Sequence, residues 1–312
     1  MALLLWGQWS DAQRDDWLAR LRAALPGEDW VLDPQAPRAA EVELAVVANP
    51  PPGSLRGLPR LRLIQSLWAG VDRLLDDPTL PPGVPIARMV DPAMNEAMTQ
   101  TALWATLSLH RGFFQVLAQQ REALWRPPPQ ARAAECQVLV LGLGELGGRV
   151  AQALAAQGYA VSGWSRSRRK PPPGVLALSG DAELAPALGR ADVVINLLPL
   201  TAQTRDFFDA SRLAQFRRGA ALVNLARGAQ VDEAALLAAL DDGRLGHAVL
   251  DVFRQEPLPA GHAFWRHPRV TVLPHTAAQT DPRSAAEVVA ANLARLRAGQ
   301  TPWHLVDTGR GY

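Results

Sequence analysis

Arg227 in NLARG, Glu256 in LDVFRQEPLP and His275 in PHTA each follow an apolar run that reads as a strand, and the three side chains are complementary parts of one reaction. A guanidinium can fork onto a carboxylate and the ketone oxygen beside it, which fixes a 2-keto acid and polarises its carbonyl. An imidazole can give the proton that an alkoxide needs once hydride has reached the carbonyl carbon. A carboxylate partner holds that ring in one orientation and favours its protonated form. Taken singly, each residue has a plainer role: Arg227 as a cation at a helix terminus, Glu256 as a turn residue before Pro257, His275 as a capped loop histidine. Among the six histidines, His110 lies inside a helical pattern, His262 and His267 flank a proline-rich loop, His247 starts a strand and His304 lies near the C-terminus. Only His275 is expected at the end of a strand.

This chemistry needs a hydride donor, and VLVLGLGELGGRVAQALAAQGYAV at 138 to 161 offers a place for one. Val138 to Leu141 read as a strand buried on both faces, and Gly142, Gly144 and Gly147 then form G-x-G-x-x-G where a helix opens. The first glycine permits a tight turn, Gly144 lets the backbone approach a pyrophosphate, and Gly147 lets helix and strand pack closely. The unpaired N–H groups and positive dipole end of the helix suit a phosphate. An NAD enzyme normally carries an acid about 20 residues past the first glycine, to bind the ribose 2′-hydroxyl. Here Tyr159 to Gly180 contains no acid, while Ser165, Arg166, Ser167, Arg168, Arg169 and Lys170 cluster after the second strand. Guanidinium forks and hydroxyls suit a 2′-phosphate, so NADPH is the expected cofactor, with NADH accepted more weakly. The plainer alternative is a solvated basic loop. Asp251 is placed to accept a hydrogen bond from the nicotinamide carboxamide.

The elements that must position these groups are legible as alternating apolar patterns. Strands are expected at Leu3 to Trp6, Val42 to Ala48 and from Leu61, with a helix at Asp11 to Leu25. The turn Trp68-Ala69-Gly70, leading to Val71 and a helix start, presents N–H groups suited to a carboxylate, and Trp68 either walls a pocket or is a core residue. One helix of about thirty residues is expected from Asn95 to Trp125, stopped by the linker RPPPQ. Further strands are expected at Val175 to Leu178, Val193 to Leu198, Ala221 to Leu225, His247 to Val252 and Val270 to Leu273, with a helix at Asp232 to Leu240. Such alternation implies a doubly wound parallel sheet with function at the carboxyl ends of its strands. A last helix, Pro282 to Ala298, is expected to return to the first domain and make it discontinuous.

Length and composition bound the rest. At 312 residues the chain suits two domains, and 32 Lys and Arg against 30 Asp and Glu leave no field for nucleic acid. The single cysteine, Cys136, excludes an internal disulfide and reads as structural. MALLLWG reads as a first strand, because it is short, lacks a basic flank and meets polar QWSD. Nothing approaches the ~20 apolar residues of a membrane span. A soluble, cytoplasmic protein without a bound metal is the expectation.

The motifs GLGELG at 142 to 147, WSRSRRK at 164 to 170, NLLPLT at 196 to 201, VNLARGAQVDEAAL at 223 to 236, LDVFRQEPLP at 250 to 259, PHTA at 274 to 277 and the closing RGY occur in a fixed order. In this the sequence resembles the D-isomer-specific 2-hydroxyacid dehydrogenase family over essentially its whole length, and within it the bacterial branch that reduces glyoxylate and hydroxypyruvate. The resemblance implies an α/β protein in which a Rossmann-type doubly wound domain, residues 101 to 279, is inserted in a flavodoxin-like substrate domain, residues 1 to 100 and 280 to 312. It implies Arg227, Glu256 and His275 as the catalytic set, with Trp68, Ala69, Gly70 and Val71 binding the substrate carboxylate beside Arg227 and His275. Cofactor contacts fall on Gly142, Gly144, Glu145, Leu146, Gly147, Ser165, Arg166, Ser167, Arg168, Leu198, Pro199, Ala226 and Asp251. It also implies a homodimer. One departure stands out: many relatives carry Glu-His early in the crossing helix, where this chain has Thr101-Ala102.

Three other functions compete. Formate dehydrogenases resemble this pattern but pair the histidine with Gln, and phosphoglycerate dehydrogenases often add a regulatory domain. A non-catalytic NADPH-sensing scaffold keeps the same triad. Within the enzymes, Trp68 at the substrate turn favours a two- or three-carbon keto acid over a larger one, and Trp125 either covers the cleft or belongs to the core.

Overall fold

The computed structural model describes residues 2–312, which gather into two compact units: residues up to Met94 together with Thr280–Tyr312, and Asn95–Gln279. The second segment of the first unit is the chain's return after the whole of the second. In the first unit, β1 (Ala2–Gly7) leads through α1 (Asp11–Ala24) to β2 (Asp29–Val31), β3 (Val42–Ala48), β4 (Leu63–Ser66), α2 (Asp72–Leu75) and β5 (Ile86–Ala87). All five strands pair in parallel, in the order β2-β1-β3-β4-β5, which is the flavodoxin-like order. The side-chain alternation of β1 feeds two cores. Leu3 and Leu5 pack with Trp17, Leu18 and Leu21 of α1 and with Ala285, Val289 and Leu293 of the C-terminal helix, while Leu4 packs with Val31, Leu55 and Ile64 on the other face. Ser10 starts α1 with a reciprocal capping box to Gln13.

The chain enters the second unit through α3 (Pro92–His110), followed by α4 (Phe113–Arg121). The single helix expected from Asn95 to Trp125 is thus broken and shifted. It begins earlier because the buried Asp91 carboxylate accepts the N–H groups of Ala93 and Met94, with Pro92 in the first turn. It breaks because Gly112 takes a left-handed φ of 68°, which residues with a Cβ resist. Asp91 also accepts from the Asp281 N–H and the Ser284 hydroxyl, so one buried carboxylate ties both ends of the chain's excursion within the first unit.

The rest of the second unit is β6 (Gln137–Leu141), α5 (Glu145–Ala156), β7 (Ala160–Ser165), β8 (Val175–Ser179), α6 (Gly180–Leu188), β9 (Val193–Asn196), α7 (Ala210–Leu213), β10 (Ala220–Asn224), α8 (Glu233–Asp241), β11 (Leu245–Leu250) and β12 (Val270–Val272). Its seven parallel strands run β12-β11-β10-β9-β6-β7-β8, the Rossmann order with one further strand. The order reverses between β6 and β9, which makes their carboxyl ends the switch point where such sheets bind ligands. Both faces are covered, as the unbroken apolar strands require. Leu139 and Leu141 of β6 pack with Leu184, Leu188 and Phe208, whereas Val138 and Val140 pack with Ala102 and Ala105 of α3 and Val150 and Leu154 of α5. The C-terminal helix, α9 (Pro282–Arg297), then belongs to the first unit.

Four strands stop short of their apolar runs, β12 by the single residue Leu273. β9 ends at Asn196 and β10 at Asn224, before Leu198 and Leu225, because each Asn side chain accepts the backbone N–H two residues on, from Leu198 at 3.2 Å and Ala226 at 3.3 Å. These side-chain turns compete with the ladder and end it. β11 likewise ends at Leu250, before Val252, and Asp251 follows it.

Candidate active site

The ends of β10, β11 and β12 bring Arg227, Asp251, Glu256 and His275 to one side of the seven-stranded sheet. His275 Nδ1 lies 2.8 Å from Glu256 Oε2, so Nδ1–H donates to the carboxylate and Nε2 is left for other chemistry. The other oxygen, Glu256 Oε1, accepts the Phe253 N–H at 2.9 Å, which fixes the carboxylate to its own loop. The Glu256 hydrogen bond, helped by the charges of Glu256 and Asp251, raises the His275 imidazole above its ordinary range, against burial and Arg227, which lower it. Its side chain is 51 % exposed, so a proton can leave it for a bound molecule.

The His275 backbone is held in the left-handed region at φ 52°, a conformation that costs a residue with a Cβ roughly 1–2 kcal/mol. Asp251 imposes it. Its carbonyl accepts the His275 N–H at 2.9 Å, and its buried Oδ1 accepts the N–H groups of Thr276 at 2.7 Å and Ala277 at 3.0 Å. Burial raises the Asp251 carboxyl and these hydrogen bonds oppose the rise. Thr101 supports the same segment by donating to the Ala277 carbonyl at 2.8 Å, which gives a role in this chain to the position where many relatives carry Glu. Beside it, Gln100, Thr101, Trp104, Leu273, Thr276 and Ala277 line an open groove of about 320 Å³.

Arg227 caps the short turn Gly228–Gln230, with Nη1 donating to the Ala226 carbonyl at 2.8 Å. Its placement depends on the next residue. A Cβ on Gly228 would lie 1.9 Å from the Phe253 carbonyl carbon, so only glycine lets the β10 loop sit against the loop that carries Glu256. The imidazole feels the Arg227 charge, which places both side chains in one field.

The glycine turn after β6 has the form a dinucleotide needs. A Cβ on Gly147 would meet the Gly142 carbonyl oxygen at 1.7 Å, so helix and turn close tightly only without one. Gly144 instead faces open space, and no side chain caps the first N–H groups of α5. Those donors and that space fit a pyrophosphate. Glu145 is exposed and pairs loosely with Arg149, Leu146 packs on the core, and Leu198, Pro199 and Ala226 stand at the neighbouring strand ends, with Leu198 and Ala226 buried.

After β7 the side chains differ in use. Ser165 is buried and its hydroxyl donates to the Ser167 carbonyl at 2.9 Å, so it shapes the turn. Arg166, Ser167 and Arg168 are exposed, and Arg168 pairs with Glu183 at 3.2 Å. Trp68, Ala69, Gly70 and Val71 belong to the other unit. Trp68 is half-buried and stacks edge-on against Trp17 at 6.3 Å, and Val71 is buried, so the turn offers backbone N–H groups. The helix expected to follow is a single turn, Asp72–Leu75, too short to build up a useful dipole. Trp125 is 97 % exposed, which removes its core alternative.

Comparison with known proteins agrees with this arrangement. Residues 103–277, more than half of the chain, match the NAD-binding domain of the D-isomer specific 2-hydroxyacid dehydrogenases. This chain belongs to that family. The glyoxylate/hydroxypyruvate reductase A of Serratia proteamaculans is 42 % identical over 306 residues, 96 % of each chain. A D-isomer specific 2-hydroxyacid dehydrogenase of Xanthobacter autotrophicus Py2, crystallised with NADPH and MES, superposes with a TM-score of 0.94 at 40 % identity, covering 100 % of this chain and 99 % of that one. An NADPH-dependent glyoxylate/hydroxypyruvate reductase of Sinorhizobium meliloti, crystallised with NADP and sulfate, superposes with a TM-score of 0.91 at 35 % identity over the same shares. As a member of this family the chain is a 2-hydroxyacid dehydrogenase with a Rossmann nucleotide domain. Among the described residues, no helix is long and apolar enough to cross a membrane.

Sequence reasoning passed over Asn196, Asn224 and Gln230. All three are fully buried behind Arg227, and the signal was present as polar residues closing or following apolar runs.

Proposed function

We propose that this dehydrogenase reduces small 2-keto acids, glyoxylate to glycolate and hydroxypyruvate to glycerate, with NADPH as the preferred cofactor. The observation that carries the reading is the His275–Glu256 pair, 2.8 Å apart on a strand end of the sheet whose first turn is GLGELG. A bound NADPH supplies hydride to the carbonyl carbon. Arg227 grips the substrate carboxylate and polarises the ketone, and the backbone N–H groups at Ala69 and Gly70 are a second carboxylate anchor. His275 Nε2 gives its proton to the oxygen as negative charge develops there, while Glu256 holds the ring by Nδ1 and favours its charged form. Asp251 keeps the strand end in place and is the acceptor for the cofactor's carboxamide.

NADPH preference rests on the acid-free turn after β7 and its exposed guanidinium groups, and relatives crystallised with NADPH or NADP support it. The names of the Serratia and Sinorhizobium relatives support the two substrates. A cytoplasmic setting suits the buried thiol of Cys136, which burial pushes up to about 12. The test is NADPH consumption with glyoxylate, hydroxypyruvate and phenylpyruvate. Higher kcat/KM for the two small acids is expected, phenylpyruvate as the best substrate would overturn the substrate class, and no turnover with any of them would favour a scaffold.

The same reading includes a homodimer. Trp104, Leu107, Phe113, Val116 and Leu117 expose apolar surface along α3 and α4, each at least 40 % accessible, and Trp125 follows them. Exposed apolar side chains gathered on neighbouring helices suit a protein–protein contact. Sedimentation at micromolar concentration should give twice the chain mass, shifting toward the monomer in a Leu117→Glu variant. A monomeric wild type would exclude the dimer.

A further inference from the structure

Three amide side chains, Asn196, Asn224 and Gln230, are fully buried where β9 and β10 end. A primary amide offers two N–H donors and an oxygen with two acceptor positions. Gln230 uses all four. Its Oε1 accepts from Asn196 Nδ2 at 2.8 Å and from the Arg227 backbone N–H at 3.2 Å, and its Nε2 donates to the Leu198 and Pro199 carbonyls, each at 3.2 Å. Asn196 also donates to Asn224 Oδ1 at 2.9 Å, and Asn224 Nδ2 donates to the Arg227 carbonyl at 3.1 Å. Both peptide groups flanking the Arg227 Cα are therefore held, one by Gln230 and one by Asn224.

The orientation of each amide is forced. Turning Gln230 over would set its NH₂ against two donors and its oxygen against two carbonyls. Such a network costs free energy wherever one member is unsatisfied, and apolar side chains of similar volume would fill the same space without that risk. Its distinctive effect is geometric, because it locks the Leu198–Pro199 loop after β9 to the Ala226–Arg227 loop after β10. Contact of Gly228 with Phe253 then closes the other side.

We propose that Gln230, clamped between Asn196 and Asn224, is a positioning residue that sets Arg227 in register with the Leu198–Pro199 loop, so that one buried network aligns keto acid and cofactor. The inference rests on the reading that Arg227 anchors the substrate. Gln230 itself touches neither reactant. It acts through the Arg227 main chain, and its loss misplaces the guanidinium without removing it.

A double-mutant cycle separates positioning from plain stability. Gln230→Met keeps the length and removes the four hydrogen bonds. With glyoxylate and NADPH, kcat/KM should fall by up to about 10²-fold, the cost of an ångström-scale misplacement, mainly through a raised glyoxylate KM. In an Arg227→Ala background the same change should cost less than about threefold, because the effects share one route. Equal losses in both backgrounds, or unchanged kinetics in Gln230→Met, would overturn the inference. Should that variant fail to fold, Asn224→Ser, which removes the bond to the Arg227 carbonyl, carries the same cycle with the same outcomes. Full activity in Arg227→Ala alone is a different result: it removes the active-site reading, and the inference falls with it.

Discussion

The carboxyl ends of β10, β11 and β12 and the turn that follows β7 belong to one sheet and carry arginines toward one ligand region, yet they are built in opposite ways. At the first, Asp251, Asn196, Asn224 and Gln230 are almost wholly buried, and their hydrogen bonds fix the backbone at Arg227 and in the segment from His275 to Ala277. At the second, Arg166, Ser167, Arg168, Arg169 and Lys170 are exposed, and the only buried hydroxyl, that of Ser165, serves the turn itself. The difference follows from what each region does. Proton and hydride transfer demand atoms placed to a fraction of an ångström, so rigidity is built in beforehand through buried polar contacts. Preference for a phosphate needs only positive charge within reach, and a solvated loop can supply it.

The sharpest way to break this comparison is to remove the proton donor while leaving the rigid frame. His275→Gln should lower kcat by ~10²- to 10⁴-fold, the usual cost of losing a general acid, while NADPH still binds. Near-normal kcat would show that the rigid strand ends serve another purpose. The companion change acts on pH. Reduction needs the protonated imidazole, and Glu256 holds the His275 pKa above the ordinary value of about 6.5. The acid form is therefore complete at low pH and is lost as pH rises through the raised value. In Glu256→Gln the raising hydrogen bond to a carboxylate is gone while burial and Arg227 still lower the pKa, so activity should fall off at lower pH than in the wild type. A pH–rate profile of kcat/KM reads the shift, and an unmoved alkaline limb would remove Glu256 from its role.

The two regions also differ in how far they were legible. Glycine spacing, apolar strand runs and the three candidate catalytic side chains are local patterns, and both parallel sheets follow from the strand runs. Arg227, Glu256 and His275 stand out as candidates because a charged or titratable residue just past an apolar run adds little to packing and so points to chemistry. The frame around them does not. Asn196 and Gln230 are separated by 34 positions and meet only through the sheet order, so nothing local marks them as partners. The Asx turns at Asn196 and Asn224 shortened two strands for the same reason: a side chain replaced a ladder hydrogen bond that apolar periodicity alone would have continued. The break at Gly112 lay in plain view, but an isolated glycine in a helical pattern is tolerated at a cost of about 1 kcal/mol and does not by itself end the helix. In the basic turn the charges were legible, whereas the division between Ser165, which is structural, and the arginines was not, since it depends on burial.

The smallest effects belong to the basic turn, and they sharpen the comparison by testing whether its exposed charges serve the phosphate. A charge-assisted hydrogen bond to phosphate is worth about 1.5–3 kcal/mol, so Arg166→Ala should weaken NADPH by roughly tenfold or more and leave NADH nearly unchanged. The Arg168 guanidinium is accepted by Glu183 at 3.2 Å, and Glu183 is itself fixed by the Ser179 N–H at 2.5 Å. To reach a 2′-phosphate, Arg168 must leave an exposed pair worth about 0–1 kcal/mol, which reduces its net contribution. Arg168→Ala should also weaken NADPH more than NADH, and the losses in both variants should shrink as salt is raised, since exposed charges are screened. Fluorescence titration of NADPH and NADH against the two variants at low and high salt measures all of this. Equal losses for both cofactors would make the turn a structural feature and leave the absence of an acid after β7 as the sole basis of the preference.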